Sequence, residues 1–500
     1  MRYGFVIDQN RCIGCHACTV ACKEEHQVPL GVFRTWVKYV EKGEYPNTSR
    51  HFGVMRCNHC DAAPCVTICP TKALYRRSDG IIDFDNQRCI GCKSCMQACP
   101  YDALYIDPNN NTAAKCNFCA HRVEANLEPA CVIVCPTQAI LAGDLDDPAS
   151  KVARAVATQK VCVRKPEKGT EPKLFYVGIE DDLLHPTRLS RQSGYVFAEQ
   201  RDHRPSEKSF DPALTREVYD VAHPAPWGWK IAAYLWTKSI AAGVMIVAAM
   251  LMALAGNSSM RIFSIVSPMI ALVALGITMA LLVLDLKRPD RFYYLLTKPN
   301  FRSWLVIGAY ILMGFGAMCV VWLLYGLFKD FVPGVVLVLT TVLAAASACY
   351  SAFLFAQAKG RDFWQGKWSF CWHLLVQALV AGAATWVICQ AVTNFRMPFG
   401  GIQPAHVLVL SLFLSLITLL MEIAIPRGTE DGKRAKKVLL QGELSRRFWL
   451  SAVALGLILP ITLFLLDPPL APSIAAVLAL YGLLWFEYLW VKAGQSVPLS

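Results

Sequence analysis

Residues 89–100 read CIGCKSCMQACP. Cys89, Cys92, Cys95 and Cys99 are spaced C-x2-C-x2-C-x3-C, and Pro100 follows the last. Two-residue gaps let three thiols wrap one small object. The three-residue gap turns the fourth towards a different one, the ligation habit of bacterial cubane clusters. Cys12, Cys15, Cys18 and Cys22 repeat the spacing. Cys57, Cys60, Cys65 and Cys69 are spaced C-x2-C-x4-C-x3-C before Pro70. Cys116, Cys119, Cys131 and Cys135 are spaced C-x2-C-x11-C-x3-C before Pro136. Thiolate sulfur is the soft ligand that iron–sulfur chemistry selects. Structural zinc usually takes two separated pairs of ligands. Four thiols in one eleven-residue run, twice over, fit cubanes better.

An internal repeat surrounds these cysteines. CPTKAL (69–74), CPYDAL (99–104) and CPTQAI (135–140) are one pattern three times. The stretch ALYRRSDGIIDFD alternates around Ser-Asp-Gly and reads as a hairpin; ALYIDPNNNTAAKC reads similarly. The pattern predicts short strands, turns and small helices, held by metal sites as much as by apolar burial.

The chain has 500 residues, 21 cysteines and a formal charge of +12, and it is 55% hydrophobic. That length calls for at least two domains. Residues 1 to about 226 are polar and hold most cysteines; from about 227 onward the chain is strongly apolar. A disulfide framework is the poorer reading, since the opening MRYGFVIDQN has no apolar h-region and no twin arginine. Nucleic-acid binding is not expected either, because the positive charge sits in short loops between apolar runs.

From about 231 the apolar runs number eight: 231–255, 262–286, 303–327, 333–357, 370–393, 402–425, 447–466 and 472–491. Each is near or above the length that crosses a bilayer. Pro460 interrupts the seventh. Lys and Arg crowd the even-numbered loops, from Lys287 and Arg288 to Arg446 and Arg447. The odd-numbered loops hold Arg261, Lys329 and Arg396. The positive-inside rule then places the cysteine half in the cytoplasm, on an inner (cytoplasmic) membrane. Residues 181–226 read as a polar linker, closing on HPAPWGW (223–229) with two tryptophans expected at the lipid interface.

The stretches FVIDQNRCIGCHACTVACKEEH, MRCNHCDAAPCVTICP, AKCNFCAHRV and RKPEKGTEPKLFYV resemble the four-cluster electron-transfer subunits of molybdenum oxidoreductases, of the dimethyl sulfoxide and polysulfide reductase type. The resemblance runs over about residues 1–180. It implies four [4Fe–4S] clusters: one on Cys12, Cys15, Cys18 and Cys135, one on Cys22, Cys116, Cys119 and Cys131, one on Cys57, Cys60, Cys65 and Cys99, and one on Cys69, Cys89, Cys92 and Cys95. It also implies that the last lies nearest the membrane. Cys162, Cys319, Cys349, Cys371 and Cys389 read as small buried apolar residues.

The apolar half resembles NrfD and polysulfide reductase membrane subunits, on LDLKRPDRFYYLLTKPNFRSW (284–304) and the ending KAGQSVPLS (492–500). The fold expectation is an α+β ferredoxin-like domain (1–180), a linker (181–226) and an all-α polytopic domain of about eight spans (227–500). Such subunits exchange electrons with quinone, either menaquinone or ubiquinone. Intramembrane charges are functional candidates by default, which selects Lys238, Asp285, Arg288, His373 and Glu422 for a quinone site, with Glu487 in the same layer. Asp285 and Arg288 have a structural reading as an ion pair; Lys238 and Glu487 could instead snorkel to the interface. Haem is not expected, because His373 and His406 start successive spans near opposite faces.

The functional expectation is a membrane anchor and electron-transfer subunit. It would serve a molybdopterin-containing catalytic subunit and the quinone pool, in sulfite oxidation or polysulfide-type reduction. The alternative is the same module in a formate dehydrogenase- or hydrogenase-type complex. A transporter with a metal-stabilised domain predicts one or two metals rather than sixteen cubane-spaced thiols. A proton pump would need acidic groups continuing to the outer face.

Overall fold

The computed structural model describes residues 1–191, 215–254, 261–329, 331–393, 402–425, 428–466 and 471–500. Residues 192–214 of the expected linker, and the loop residues Arg396 and Arg427, lie outside them. The chain divides into two compact units: Met1–Pro226 with Pro498–Ser500, and Trp227–Val497.

The first unit is α+β, and short strands frame its cysteine loops. Tyr3–Asp8 pairs antiparallel with Ile140–Asp144 and parallel with Leu174–Val177, whose other neighbour is Val161–Cys162. A second sheet runs Ser190–Arg191, Arg216–Tyr219, Thr35–Lys42, Ser49–Arg56. Both expected hairpins form: Leu74–Arg76 with Ile82–Phe84, and Leu104–Ile106 with Ala113–Lys115. Phe5, Ile7, Ile68, Leu74, Ile82 and Tyr176 share one buried cluster with most of the cysteines. The metal-site loops are therefore themselves the core, as expected for so short a set of strands.

One expectation needs correction. Residues 181–226 are not simply a linker: Arg216–Tyr219 adds a strand to Thr35–Lys42. The physical reason is a buried charge. Lys38 is enclosed, and its Nζ lies 2.7 Å from Glu217 and 3.2 Å from Asp220, so leaving that segment undocked would strand an unpaired ammonium.

Among its described residues the second unit is all helical, with eight helices long and apolar enough to cross a membrane: Trp229–Leu254, Arg261–Asp285, Trp304–Phe328, Gly334–Ala356, Lys367–Thr393, Pro404–Ala424, Ser445–Leu466 and Ala471–Gln495. They are called spans one to eight. Span one is the central helix, 72% buried over its apolar window against 28% for spans three and seven. Its close neighbour is span five. A Cβ on Gly243 would run into Ala378 O, and one on Gly382 would run into the Gly243 carbonyl carbon. Only glycine lets two backbones touch there, the small-residue packing that replaces hydrophobic drive in lipid.

Part of the loop charge is structural. Lys436 Nζ donates to Ile423 O (2.5 Å) and Ile425 O (3.0 Å) at the C-terminus of span six, and Arg361 Nη1 donates to Val497 O (2.9 Å). Of the two expected interface tryptophans, Trp229 is exposed. Trp227 is buried instead, stacked on Trp364 with ring centroids 5.5 Å apart.

Candidate metal centres and membrane cavity

The cysteine loops turn so tightly that several residues take left-handed backbone. Gly14 and Gly91 do so inside the C-x2-C steps, and His16 and Lys93 do so where the short helices Ala17–His26 and Ser94–Ala98 begin. Gly14 has a second reason: a Cβ there would lie 2.5 Å from the Phe52 ring. This winding aims backbone N–H groups at sulfur. Gly91 N and Ala113 N each donate to Cys89 Sγ at 3.4 Å, and Ala139 N donates to Cys135 Sγ at 3.2 Å. Such donors favour the thiolate.

The sixteen cysteines meet in four sets. A cavity of about 380 Å³ is lined by Cys69, Cys89, Cys92 and Cys95. Another, of about 320 Å³, is lined by Cys12, Cys15, Cys18 and Cys135. Cys22 feels the charges of Cys116, Cys131 and Cys119. Cys65 feels those of Cys99, Cys57 and Cys60. Each set thus draws three thiols from one stretch and the fourth from another, and joins cysteines up to about 120 residues apart. Burial pushes the Cys18 and Cys99 thiols up to about 11 and those of Cys92 and Cys119 to about 12. Four buried thiolates in one place are tolerable only around a cationic core that replaces their protons. Among the described residues, no three His, Cys, Asp or Glu side chains converge on one point as a single ion would need. A cubane takes one thiolate per iron, so thiols spaced around a cavity are the arrangement it requires.

Basic groups close the sets. Arg56 Nη1 donates to Cys131 Sγ at 3.0 Å, and His26 Nε2 lies 3.1 Å from Cys119 Sγ. Sequence reasoning passed over both. Their one local signal was Arg56 standing directly before Cys57.

In the membrane unit a cavity of about 430 Å³ opens between spans five to eight. Its polar lining is His373, Gln377 and Ser415; Leu419, Val453, Leu483 and Phe486 are among its apolar walls. His373 lies flat on Phe486, with centroids 4.7 Å apart, and its Nδ1 is 3.5 Å from Glu422 Oε2. The candidate residues do not form one cluster. His373 and Glu422 meet at this cavity. Lys238 is enclosed elsewhere, donating to Ala348 O (2.9 Å) and Ser351 Oγ (2.6 Å). Neither Lys238 nor Glu487 snorkels: both are fully buried. Arg288 forks onto Asp290, and Asp285 is the last residue of span two. His406 caps its own helix, its Nδ1 accepting from Gln403 N at 3.1 Å.

Known proteins share both halves of this arrangement. Residues 217–498 match the family described as polysulphide reductase, NrfD. The chain belongs to the NrfD family. Ahead of that region, residues 3–24 match a 4Fe-4S binding domain and residues 49–145 a 4Fe-4S dicluster domain. This NrfD-family chain is 47% identical over 189 residues to a tetrathionate reductase subunit of Salmonella typhimurium, covering 37% of this chain and 76% of the relative. It is 43% identical over 179 residues to a polysulfide reductase polypeptide of Wolinella succinogenes, covering 35% and 94%. It is 43% identical over 180 residues to protein NrfC of Escherichia coli, covering 35% and 81%. The NrfD-family chain therefore joins an iron–sulfur electron-transfer half to a multi-pass membrane anchor in one polypeptide.

Proposed function

We propose that this chain is the membrane-anchor and electron-transfer subunit of a sulfur-compound respiratory complex, passing electrons through four [4Fe–4S] clusters between a molybdopterin-containing catalytic subunit and membrane quinone. The observation that supports this reading is the gathering of sixteen cysteines, most of them buried, into four sets of four. When bound, the clusters supply one-electron stations; the chain's own residues do the rest. The cysteine loops hold each station, and their N–H groups offset its negative charge. The membrane cavity suits a quinone ring. Phe486 and Leu483 offer apolar walls, and His373 and Gln377 offer groups that bond a carbonyl oxygen. Quinone reduction takes two electrons and two protons. Glu422 Oε2, 3.5 Å from His373 Nδ1, sets a carboxyl group beside the ring on the proton's route.

The sulfur assignment is supported by the relatives named for polysulfide and tetrathionate. Haem has no part in the reading, since His373 faces Glu422 and His406 caps its helix. Charge in the even-numbered loops favours an inner (cytoplasmic) membrane with the cluster half in the cytoplasm.

The test uses native membranes under anaerobic conditions, followed by electron paramagnetic resonance. Sulfite reducing the clusters, with quinone reoxidising them, assigns a sulfite-oxidising direction. A quinol analogue reducing them, with polysulfide draining them, assigns a terminal reductase. Absence of cubane signals even with dithionite would end the reading. In a His373→Ala variant, dithionite should still reduce every cluster while exchange with quinone falls at least tenfold; unimpaired exchange would remove the cavity from the pathway.

A further inference from the structure

Arg56 ends the strand Ser49–Arg56 and is fully buried. A buried guanidinium needs an anion, since it stays protonated under all ordinary conditions. Among the described residues no carboxylate pairs with Arg56. Nη1 donates to Cys131 Sγ at 3.0 Å, while Nε and Nη2 are buried with no hydrogen-bond partner. Phe5 covers one face, its ring centre 4.7 Å from the guanidinium carbon. The negative groups it meets are the thiols of Cys131, Cys116 and Cys18. Lys115 is a contrast: it is equally buried, but its Nζ is satisfied by the carbonyls of Ile82 and Cys116.

We propose that Arg56 is a positioning residue that sets the potential of the cluster on Cys22, Cys116, Cys119 and Cys131, raising it by stabilising the reduced form. This rests on the four-cluster reading above. The physics is charge alone. An oxidised cubane with four thiolates is a dianion, and one electron makes it a trianion; no bond forms or breaks and no proton is needed. A fixed cation against one thiolate, with its Nε and Nη2 unused by protein, favours the more negative state in a low-dielectric interior. Cys18 belongs to the neighbouring set, so that station should feel the same charge more weakly.

The experiment is a potentiometric titration of the full chain in its complex, read by electron paramagnetic resonance, with iron counted in each sample. In Arg56→Gln one midpoint should fall. The reduced-to-oxidised ratio at its wild-type midpoint should drop at least tenfold, which is 59 mV for one electron. Arg56→Lys keeps the charge and should restore most of the shift. Exposed Arg50→Gln should move nothing. Unmoved midpoints in an Arg56→Gln sample with full iron would overturn the proposal, as would an equal fall in Arg56→Lys. Loss of iron from both variants alike would also overturn it, by making Arg56 a structural residue. Independently of any variant, wild-type chain labelled with ¹⁵N-arginine should show nitrogen hyperfine coupling at one reduced cluster, and absence from all of them would refute it. A wild type without cubane signals would instead bring down the four-cluster reading, and this proposal with it.

Discussion

Cys95 and Cys99 stand one helical turn apart and face different sets, and single substitutions should separate them. Cys95→Ala removes a thiol from the cavity shared with Cys69, Cys89 and Cys92. Cys99→Ala removes one from the set with Cys57, Cys60 and Cys65. Each variant should lose about four irons from a total of about sixteen, and the two should lose different resonance signals. Loss of the same signal from both would refute the grouping. Cys162→Ala should keep all the iron. Its Sγ lies against Tyr176 O at 3.6 Å, next to neither cavity. The spacing alone singled out these sixteen cysteines and set Cys162 aside. It did not reveal Arg56 or Gln377, because a residue's nearness to a thiol or a cavity wall depends on chain segments far apart in sequence.

Span seven illustrates what an element's own sequence encodes. From Phe448 to Ile458 it is wound as a π-helix, and α-winding resumes at Leu459. Pro460 offers no N–H, so a backbone carbonyl one turn earlier loses its ordinary partner. Leu459 N reaches back to Ala454 O, five residues away. Pi-helical turns are rare and gather at functional sites, and this one supplies Ala452, Val453, Gly456 and Leu457 to the membrane cavity. The crossing of spans one and five makes a sharper prediction. Gly382→Ala would drive a methyl into the backbone at Gly243 and should cost about 1–3 kcal/mol. That would register as a lower melting temperature in detergent. Gly276→Ala, in open space, is the control and should leave the melting temperature within error. Equal stability of the two variants would show that the backbones do not touch.

At the scale of the whole molecule, acid–base balance should be visible in the first unit. His223 Nδ1 lies 3.1 Å from Asp102, and its Nε2 lies 3.7 Å from Asp220, which also faces Lys38; Glu217 lies 2.7 Å from the same Lys38 Nζ, and the Trp36 ring is tilted against His223 with centroids 5.2 Å apart. Burial opposes the charged imidazole, yet the contacts with Asp220 and Asp102 outweigh it and hold the pKa above the ordinary histidine value. Burial likewise opposes the Asp220 carboxylate, and Lys38 and His223 overcome it, so that pKa is depressed. The signs follow. The raised histidine contributes stability that is complete below about 6.5, its unfolded value, and is lost as pH rises through the folded value. The depressed carboxylate contributes stability present above about 3.9 and lost as pH falls through its folded value. Thermal loss of cluster absorbance should therefore move to lower temperature as pH rises from about 6.5 to 9. His223→Gln should flatten that slope, and an unchanged slope would refute the linkage.

The sequence alone determined the two-part plan: cubane-spaced thiols ahead of eight apolar runs. Both signals are local, because a C-x2-C-x2-C-x3-C loop bends around its cargo within a dozen residues, and a span is defined by its own length and apolarity. It also marked His373 and Glu422, since a charge inside an apolar run stands out wherever its partner lies. Only tertiary structure decided which charges meet. Lys38 draws a strand out of the expected linker, Arg56 reaches Cys131 across 75 residues, and Gln377 turns towards the same cavity as Phe486. Those pairings carry no periodicity or spacing, because what selects them is the cost of burying a polar group without a partner, and that cost arises only once the chain has folded.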